Sequence, residues 1–325
     1  MLASMRTGSS FVGEIFDKHQ DIFYMFEPGI PLQDELERRG AVFLEPLFID
    51  VLASLFRCNA TGHQFYLNWL AGQNRNGVKK KAPQMFDSCP KFKNPKGEFC
   101  GLLRPEAYRQ ECLARKHTVV KAIRVWELSS LLPLIQASDL RLKVLHLVRD
   151  PRGMITSRML ALHPRARKNK TLVMDDEMTE YLMDFCRTSV TSKEAGQYLP
   201  AFAGSYTLLR YEDMSLDPIG TARWVYNRTG LGVLPGTIET WLAKNTVTYK
   251  RGVYSTSRLS RETYQSWRTV LDLHTVRTIE RTGRCASMME HFGYLPIRDK
   301  AHLKNLSQPI VTSLPPPTDP EIYIV

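Results

Sequence analysis

The chain alternates short apolar runs with segments in which apolar residues recur at helical spacing. Runs rich in β-branched and aromatic residues predict strands at 21–27, 118–125, 142–149 and 206–211. The spacing of apolar residues predicts helices at 9–19, 44–57, 105–116, 127–137, 151–159, 176–198, 218–228, 235–244 and 270–292. Strands that alternate with helices favour an α/β fold, in which helices cover both faces of a parallel sheet.

The end of the chain differs in composition from the rest. Residues 313–320, SLPPPTDP, are rich in proline and predict an unstructured segment. We therefore expect one folded domain over 1–300 and a proline-rich tail over 301–325. No apolar run reaches the roughly 18 residues of a transmembrane helix, and residues 1–5 are too short for a signal peptide.

Six cysteines and four glycosylation sequons indicate the secretory pathway. Six cysteines can form three disulfides, and fifteen pairings are possible. No CxxC pair occurs and the sequence shows no cluster of metal ligands, so we expect no metal. The sequons begin at Asn59, Asn169, Asn227 and Asn305. Chance would give roughly one or two, so both features are typical of a chain that folds in an oxidising compartment.

The chain is basic, with 44 Lys and Arg against 33 Asp and Glu and a formal net charge of +11. Such a surface favours a polyanionic partner, which includes nucleic acid, anionic lipid, a nucleotide and an acidic polysaccharide. The basic runs at 79–81 and 165–170 contain no interleaved aromatic residues, so we expect no nucleic-acid partner. Such runs are typical of a solvated surface. Alternatively, they would guide an acidic polysaccharide to the protein by an attraction that weakens with salt.

The first candidate phosphate site is Arg6-Thr-Gly-Ser-Ser-Phe11, directly before a helical pattern. Its glycine allows a tight turn and a close approach of the backbone to a ligand, and Ser9 and Ser10 can cap the helix. A helix start beside an arginine is suited to phosphate. The motif is not a Walker A loop, because the first glycine and the lysine of that loop are missing. An ordinary helix cap beside an unrelated arginine would have the same pattern.

The second candidate phosphate site is the segment LVRDPRGMITSR at 147–158. The predicted strand ends at Arg149, while Asp150 is a favourable N-cap and Pro151 a favourable first helical residue. Arg149 therefore stands at the carboxyl end of a strand, where open α/β sheets bind ligands. Ser157 lies further along the next helix and would face the same ligand. A routine strand–helix turn is the alternative.

Together the two motifs resemble the 5′-phosphosulfate loop and the 3′-phosphate motif of sulfotransferases that use 3′-phosphoadenylyl sulfate. The segments RTGSSFVGEIF, FYMFEP, KAIRV, LHLVRDPRGMITSR and LLRYEDM resemble the Golgi carbohydrate 6-O-sulfotransferases, in the order of that family, from residue 5 to about 295. Residues 252–258 and Trp267-Arg268 are similar to its late loop that closes over the nucleotide. The resemblance implies a P-loop-like sulfotransferase fold. By this resemblance we expect a shortened first strand at residues 2–5, and we expect no part of residues 1–325 to form the membrane span of the family.

The resemblance assigns roles to individual residues. The 5′-phosphosulfate would be held by Arg6, Thr7, Gly8, Ser9, Ser10 and Phe11. The 3′-phosphate would be held by Arg149 and Ser157, and Arg258, with Arg268 as a further candidate, would come from the closing loop. The implied reaction is sulfonate transfer from 3′-phosphoadenylyl sulfate to the 6-hydroxyl of GalNAc, Gal or GlcNAc in a glycan or proteoglycan of the Golgi. Chondroitin-type GalNAc is slightly favoured, and the oligomeric state stays open.

Sulfonyl transfer needs charge stabilisation on the leaving phosphate, which Arg6 and the adjacent helix start would supply. Arginine is always charged, so it is a poor proton donor. The candidate general base is Glu27, at the carboxyl end of the strand at 21–27, in the FEP pattern of the family. A capping or salt-bridged glutamate is the alternative at this position.

Other residues and other functions are weaker candidates. His19 and His146 are alternative bases, although His146 in the middle of a strand is typical of a core histidine. Lys121 and Arg124, near the end of a predicted strand, would face the sulfonate or an acidic glycan. The short start motivates a non-catalytic glycan- or nucleotide-binding relative. A P-loop nucleotide kinase is disfavoured by the missing lysine.

Overall fold

The computed structural model describes residues 1–73, 75–94, 97–162, 172, 174–250 and 255–312. The chain divides into two compact units. The first unit contains Met1–Ala3 and Phe11–Val144, and the second contains Ser4–Ser10 and Leu145–Val325. The predicted basic run at 165–170 and the proline-rich segment from 313 onward lie outside the described residues. The predicted boundary between a domain over 1–300 and a tail stays a prediction.

The first unit is built on parallel strands. Its elements are β1 (Leu2–Ala3), α1 (Ser9–Asp17, which starts in the second unit), β2 (Ile22–Phe26), α2 (Gly29–Arg38), α3 (Glu45–Phe56), α4 (Gln64–Ala71), α5 (Arg75–Lys81), β3 (Lys91–Asn94), β4 (Gly97–Cys100), α6 (Pro105–Leu113), β5 (His117–Lys121) and α7 (Leu132–Ile135). β2 and β5 pair in parallel, with Phe26 opposite Lys121. The backbone of β1 extends this pairing, because the Ala3 N–H donates to the Ala122 carbonyl at 3.0 Å. β2 is buried along almost its whole length, as expected when helices cover both faces.

The second unit contains two neighbouring strands and a largely helical remainder. Its elements are β6 (Val144–Val148, whose first residue belongs to the first unit), α8 (Pro151–Leu162), α9 (Asp176–Tyr198), β7 (Tyr206–Arg210), α10 (Tyr211–Leu216), α11 (Pro218–Thr229), α12 (Gly236–Asn245), α13 (Ser260–Thr263), α14 (Trp267–Val270), α15 (Leu273–Arg281), α16 (Cys285–His291) and α17 (Lys300–Lys304). β6 is buried at every residue and neighbours β7. The predicted strands and the main helices that follow them are therefore present, and the expected α/β arrangement is confirmed.

Three disulfides use all six cysteines. The pairs are Cys58–Cys112 and Cys89–Cys100 in the first unit and Cys186–Cys285 in the second. The sequence left fifteen pairings open, and the structure selects this one. Each bond stabilises its unit mainly by restricting the unfolded chain, and the effect grows with the length of the closed loop.

Two predicted helices are wrong in detail. The segment predicted as a helix at 127–137 is a 3₁₀ turn followed by the short α7, because Pro133 lacks the amide hydrogen that would continue the earlier turn. The segment predicted as one helix at 270–292 is divided between the end of α14, α15 and α16. Asp272 caps α15, and Gly283, with a φ of +51°, separates α15 from α16. The sequence analysis also missed α2, α4, α5 and the β3–β4 hairpin.

Candidate active site

A tight loop over residues 4–10 includes the first two residues of α1. Thr7 is fully buried, and its hydroxyl donates to the Ser4 carbonyl at 2.8 Å. Gly8 has a φ of +91°, and a Cβ placed there would lie 2.6 Å from Cε2 of Tyr211. The loop therefore requires glycine at this position, both for its backbone conformation and for its close contact with the tyrosine ring.

The remaining residues of the predicted loop form the first turn of α1. Ser9 is buried, whereas Ser10 and Phe11 are half-buried. Backbone N–H groups in the first turn of a helix are donors of the kind that binds phosphate. Phe11 belongs to the first unit, and its contact with a nucleotide stays a prediction.

Arg6 connects this loop to the second predicted motif. Its Nε donates to the Ser157 hydroxyl at 3.1 Å, and its carbonyl accepts a hydrogen bond from Nη1 of Arg149 at 3.0 Å. Arg6 also has a φ of +69°, a left-handed conformation that non-glycine residues rarely adopt. The structure thus brings together residues from both phosphate motifs, although Arg6 and Ser157 are 151 positions apart in the sequence.

Arg149 retains an unused hydrogen-bond donor. The residue is 7% exposed, and its Cζ lies 4.5 Å from the centroid of the Tyr211 ring. Its Nε is buried and has no hydrogen-bond partner within the described parts of the chain. A buried donor without an acceptor is unfavourable, and an anion bound beside it would supply the acceptor. Arg149 therefore fits the phosphate-binding role predicted for it.

The turn from β6 into α8 is held by a buried ion-pair network. Asp150 caps α8 as predicted, because its Oδ1 accepts from the Arg152 backbone N–H at 2.9 Å. The Arg152 side chain returns to the same carboxylate, with 2.7 Å between Nη2 and Oδ2, and its Nη1 reaches Glu280 Oε1 at 2.7 Å. This network fixes the segment that carries Arg149 and Ser157.

Glu212 is a neighbour of the site that the sequence analysis missed. Its Oε1 accepts from the Asp150 backbone N–H at 3.1 Å, and its Oε2 accepts from the Tyr294 hydroxyl at 3.0 Å. Burial, reinforced by the negative charge of Asp150, raises the pKa of Glu212 to about 7, and Arg149 opposes the shift. The segment LLRYEDM contains this residue, but nothing in its pattern indicates that the glutamate is buried.

Arg258 lies against its own segment of the chain. Its Nη1 donates to the Lys250 carbonyl, and its Cζ lies 5.4 Å from the centroid of the Tyr249 ring. Residues 252–254, part of the predicted closing loop, lie outside the described residues. The predicted contact of Arg258 with the nucleotide therefore stays a prediction.

Arg268 does not fit the nucleotide-binding role suggested for it. The residue is fully buried, and each of the five guanidinium N–H donors has an acceptor. The acceptors are the carbonyls of His302, Leu303, Asn305 and Gln308 and the side-chain oxygen of Gln265. No donor remains for a phosphate. Arg268 instead ties α14 to α17 and to the residues that follow it.

In the first unit, Glu27 follows β2 with a left-handed φ of +46°. Its Oε1 lies 2.5 Å from Nζ of Lys121, which in turn lies 4.0 Å from the centroid of the Phe26 ring. Its Oε2 lies 3.7 Å from Nη1 of Arg124, which is beyond hydrogen-bond reach. The alternative that the sequence left open, a salt-bridged glutamate at position 27, is therefore present. Lys121 contacts this carboxylate, and the role of Glu27 as a base stays a prediction.

Both candidate histidines are held by contacts with neighbouring groups, and their role as bases stays a prediction. Nδ1 of His146 lies 2.9 Å from the Tyr206 hydroxyl, and burial lowers the pKa of His146 to about 3. Nδ1 of His19 accepts the Asp21 backbone N–H at 3.1 Å, and burial also lowers the pKa of His19. Both imidazoles are therefore neutral at pH 7 and anchored by their contacts, as expected of core histidines.

Two further features concern metal binding and membrane crossing. Among the described residues, no group of three or more His, Cys, Asp or Glu side chains is arranged to hold a metal ion. Within those same ranges, no helix combines the length and the apolar character that a bilayer crossing requires.

The basic run at 79–81 ends α5, where Nζ of Lys81 lies 4.0 Å from the centroid of the Trp69 ring.

Comparison with known proteins agrees with the geometry of the site. The sulfotransferase domain family matches residues 1–284. The chain belongs to the sulfotransferase family. Relatives of this sulfotransferase include carbohydrate sulfotransferase 3 of Tetronarce californica, which is 30% identical over 94% of this chain and 74% of the relative. Carbohydrate sulfotransferase 3 of Homo sapiens is 32% identical over 94% of this chain and 69% of the relative. Carbohydrate sulfotransferase 6 of Homo sapiens is 29% identical over 96% of this chain and 84% of the relative.

These similarities decide three predictions about the sulfotransferase. The predicted family, the α/β fold with a parallel sheet and the enzyme class of carbohydrate sulfotransferases are confirmed. The roles of individual residues are not decided by similarity. The predicted roles of Arg6, Arg149 and Glu27 are supported by the contacts that these side chains make.

Proposed function

We propose that this chain transfers a sulfonate group from 3′-phosphoadenylyl sulfate to the 6-hydroxyl of GalNAc, Gal or GlcNAc in a glycan or glycosaminoglycan. The proposal rests on the two hydrogen bonds of Arg6, one to Ser157 and one from Arg149. These contacts join the two phosphate motifs, and we call this place their junction. Two anion motifs joined in this way suit a nucleotide with phosphate groups at both ends. The named relatives support a carbohydrate acceptor.

The second unit would bind the nucleotide. Arg149 and Ser157 would hold the 3′-phosphate, and the unused Nε of Arg149 would gain an acceptor there. The 5′-phosphosulfate would be held by Arg6, Thr7, Gly8, Ser9 and Ser10, with Phe11 and Arg258 as further contacts. The loop over residues 4–10 is held by internal hydrogen bonds before any ligand binds, which reduces the entropy lost on binding.

Charge stabilisation would be the main contribution of Arg6 to the reaction. In sulfonate transfer, the bond between sulfur and the leaving phosphate oxygen breaks while sulfur bonds to the sugar oxygen. Negative charge then grows on the phosphate, and a permanently charged guanidinium beside it lowers the barrier. The hydrogen bond to Ser157 orients the Arg6 side chain for this role.

Glu27 would accept the proton of the attacking sugar hydroxyl. Its Oε1 is engaged by Lys121, which fixes the carboxylate. Its Oε2 lies too far from Arg124 for a hydrogen bond and would receive the proton. Arg124 and Lys121 leave local positive charge, which favours a carboxylated or sulfated glycan. We place the enzyme in the Golgi lumen, where its three disulfides would be stable.

The proposal is tested by sulfonate transfer from ³⁵S-labelled 3′-phosphoadenylyl sulfate to desulfated chondroitin, keratan sulfate and GlcNAc-terminated oligosaccharides. Calorimetry with adenosine 3′,5′-bisphosphate measures nucleotide binding separately. Transfer to one acceptor class is expected. Binding of the nucleotide without transfer would favour a non-catalytic relative, and loss of both would refute the proposal.

Arg6→Ala tests the charge-stabilising role directly. The substitution keeps the backbone carbonyl that accepts from Arg149, so it removes the side-chain charge without removing that contact. We expect transfer to fall by at least about 10²-fold, in the range seen when a preorganised donor is lost, while the fold survives. Arg187→Ala, at a side chain that is 48% exposed on α9, is the matched control and should retain full transfer. Unchanged transfer by Arg6→Ala would exclude this role.

A further inference from the structure

Five arginines of the second unit fall into two groups by how fully their guanidinium donors are used. Arg152, Arg210 and Arg268 donate from every nitrogen to carboxylates, carbonyls or a side-chain amide oxygen. Arg149 and Arg158 each keep a buried Nε that has no partner in the described parts of the chain. The first group stabilises the fold, whereas the second group retains hydrogen-bonding capacity for a ligand.

Arg158 is the more poorly satisfied of these two side chains. It is 12% exposed, and its Cζ lies 3.8 Å from the centroid of the Tyr181 ring on α9. Its Nη1 lies 2.9 Å from Sδ of Met5, and a thioether sulfur is a weak acceptor. Across the described ranges, the structure shows no hydrogen bond from this guanidinium to an oxygen. An arginine with this degree of burial is ordinarily paired.

The carboxylate beside Arg158 does little to satisfy it. Oε1 of Glu177 lies 3.7 Å from Nη2 of Arg158, beyond hydrogen-bond reach, and the Glu177 side chain is 74% exposed. Solvent screens such a pair, so it contributes little. The positive charge of Arg158 is therefore available to a second anion, provided that this anion binds closer to the guanidinium and is less exposed to solvent than Glu177.

The position of Arg158 indicates which anion it would bind. Met5 and Arg6 are neighbours in the loop, and Ser157 and Arg158 are neighbours on α8. Arg6 contacts Ser157 while Met5 contacts Arg158, so the Arg158 guanidinium lies beside the junction of the two phosphate motifs. Stacking on Tyr181 restricts the plane of the guanidinium, which reduces the entropy lost when it binds.

We propose that Arg158 is a further cationic ligand of the nucleotide, which contacts the 3′-phosphate together with Arg149 and Ser157. The inference rests on the proposed function, because it assumes that the nucleotide binds at this junction. A phosphate oxygen would replace the weak sulfur acceptor with a charged one. Arg158 would thereby help the enzyme to distinguish a 3′-phosphorylated nucleotide from one without that group.

The test compares Arg158→Gln with the unchanged protein by calorimetry, using adenosine 3′,5′-bisphosphate and adenosine 5′-monophosphate. We expect the affinity for the bisphosphate to fall by about 10- to 100-fold, the range of a lost charge-assisted hydrogen bond. The affinity for the monophosphate should not change. Arg158→Lys keeps the charge but not the planar fork, so it should give a smaller loss that is again confined to the bisphosphate.

Controls separate this proposal from the proposed function. Arg187→Gln, on the exposed surface of α9, should leave both affinities unchanged. Equal losses for the two nucleotides, or no loss for either, in both Arg158 variants would overturn the role of Arg158 while leaving the proposed function intact. If Arg158→Gln does not fold, Arg158→Lys alone decides between these results. Failure of the unchanged protein to bind either nucleotide would refute the proposed function, and this inference with it.

Discussion

Replacing Gly8 by alanine tests whether the loop over residues 4–10 is shaped by its contact with Tyr211. The φ of Gly8 is +91°, and a new Cβ would lie 2.6 Å from Cε2 of Tyr211, so the ring would have to move. The Arg149 guanidinium lies 4.5 Å from the centroid of that ring. Movement of the ring would therefore disturb the arginine that we propose for the 3′-phosphate.

The expected effect of Gly8→Ala has two parts. A left-handed backbone costs a non-glycine residue about 1–2 kcal/mol, and overpacking costs about 1–3 kcal/mol. The free energy of unfolding should therefore fall by about 2–5 kcal/mol in total, measured by urea denaturation. The affinity for adenosine 3′,5′-bisphosphate, measured by calorimetry, should fall by about tenfold or more, because Arg149 is displaced.

Gly232→Ala is the matched control for this substitution. Gly232 has a φ of +79°, and a Cβ placed there would have no neighbour within 4 Å. This variant should lose only the backbone contribution, about 1–2 kcal/mol, and should keep its nucleotide affinity. Equal stability losses in the two variants, with equal nucleotide binding, would show that Tyr211 does not shape the loop.

Two further substitutions test the glutamates. Glu27→Gln should slow sulfonate transfer by about 10²- to 10⁴-fold, measured from initial rates, because it removes the general base. Nucleotide affinity should not change. Glu212→Gln should remove a pH dependence of stability. The folded-state pKa of Glu212, about 7, exceeds the ordinary value of 4.5, so the folded protein binds this proton more tightly than the unfolded chain does. The free energy of unfolding should therefore fall as pH rises from about 4.5 to about 7 in the unchanged protein, and urea titrations across this range would show a flatter profile for Glu212→Gln.

Each of these experiments has an informative contrary outcome. Glu35→Gln on α2, which removes a surface ion pair with Arg39, is the control for Glu27→Gln and should transfer sulfonate normally. A normal rate for Glu27→Gln as well would mean that another group receives the proton. Parallel pH profiles for Glu212→Gln and the unchanged protein would mean that Glu212 does not bind the extra proton.

The two phosphate motifs could be predicted because their residues act through local backbone geometry. Gly8 allows a positive φ, and Asp150 caps the helix that begins directly after it. Such roles depend on neighbours in sequence, so a single chain reveals them. The strand before the second motif was also recognisable from its apolar run at 142–149, whereas β1, before the first motif, has no such run. The meeting of Arg6 and Ser157 then follows from placing both motifs next to strand ends.

Features that depend on residues distant in sequence could not be predicted. Arg268 resembles a ligand-binding cation beside Trp267, but four of its five acceptors lie 34–40 positions further along the chain. Glu212 is buried by groups 62 and 82 positions away. Lys121 faces Glu27 across 94 positions. In each case the acceptor or the burial that defines the role comes from tertiary packing, which local propensity does not encode.

Left-handed backbone conformations of non-glycine residues occur at Arg6, Glu27 and Cys58 within the described residues. Cys58 is constrained by its disulfide to Cys112. The other two are the residues that we propose to stabilise the leaving group and to accept the proton. Such a conformation costs a non-glycine residue about 1–2 kcal/mol, so glycine would relax the backbone at either position.

The left-handed conformations of Arg6 and Glu27 matter for engineering a more stable enzyme. Glycine at position 27 would leave Lys121 buried without its carboxylate, so heat selection would remove that variant. Glycine at position 6 loses the hydrogen bond to Ser157, which the relaxed backbone offsets, so a thermostability screen without an activity assay would tolerate a well-folded but inactive protein there. Library design for a heat-resistant version of this enzyme should therefore hold position 6 constant. Variation belongs at sites where the local backbone is relaxed.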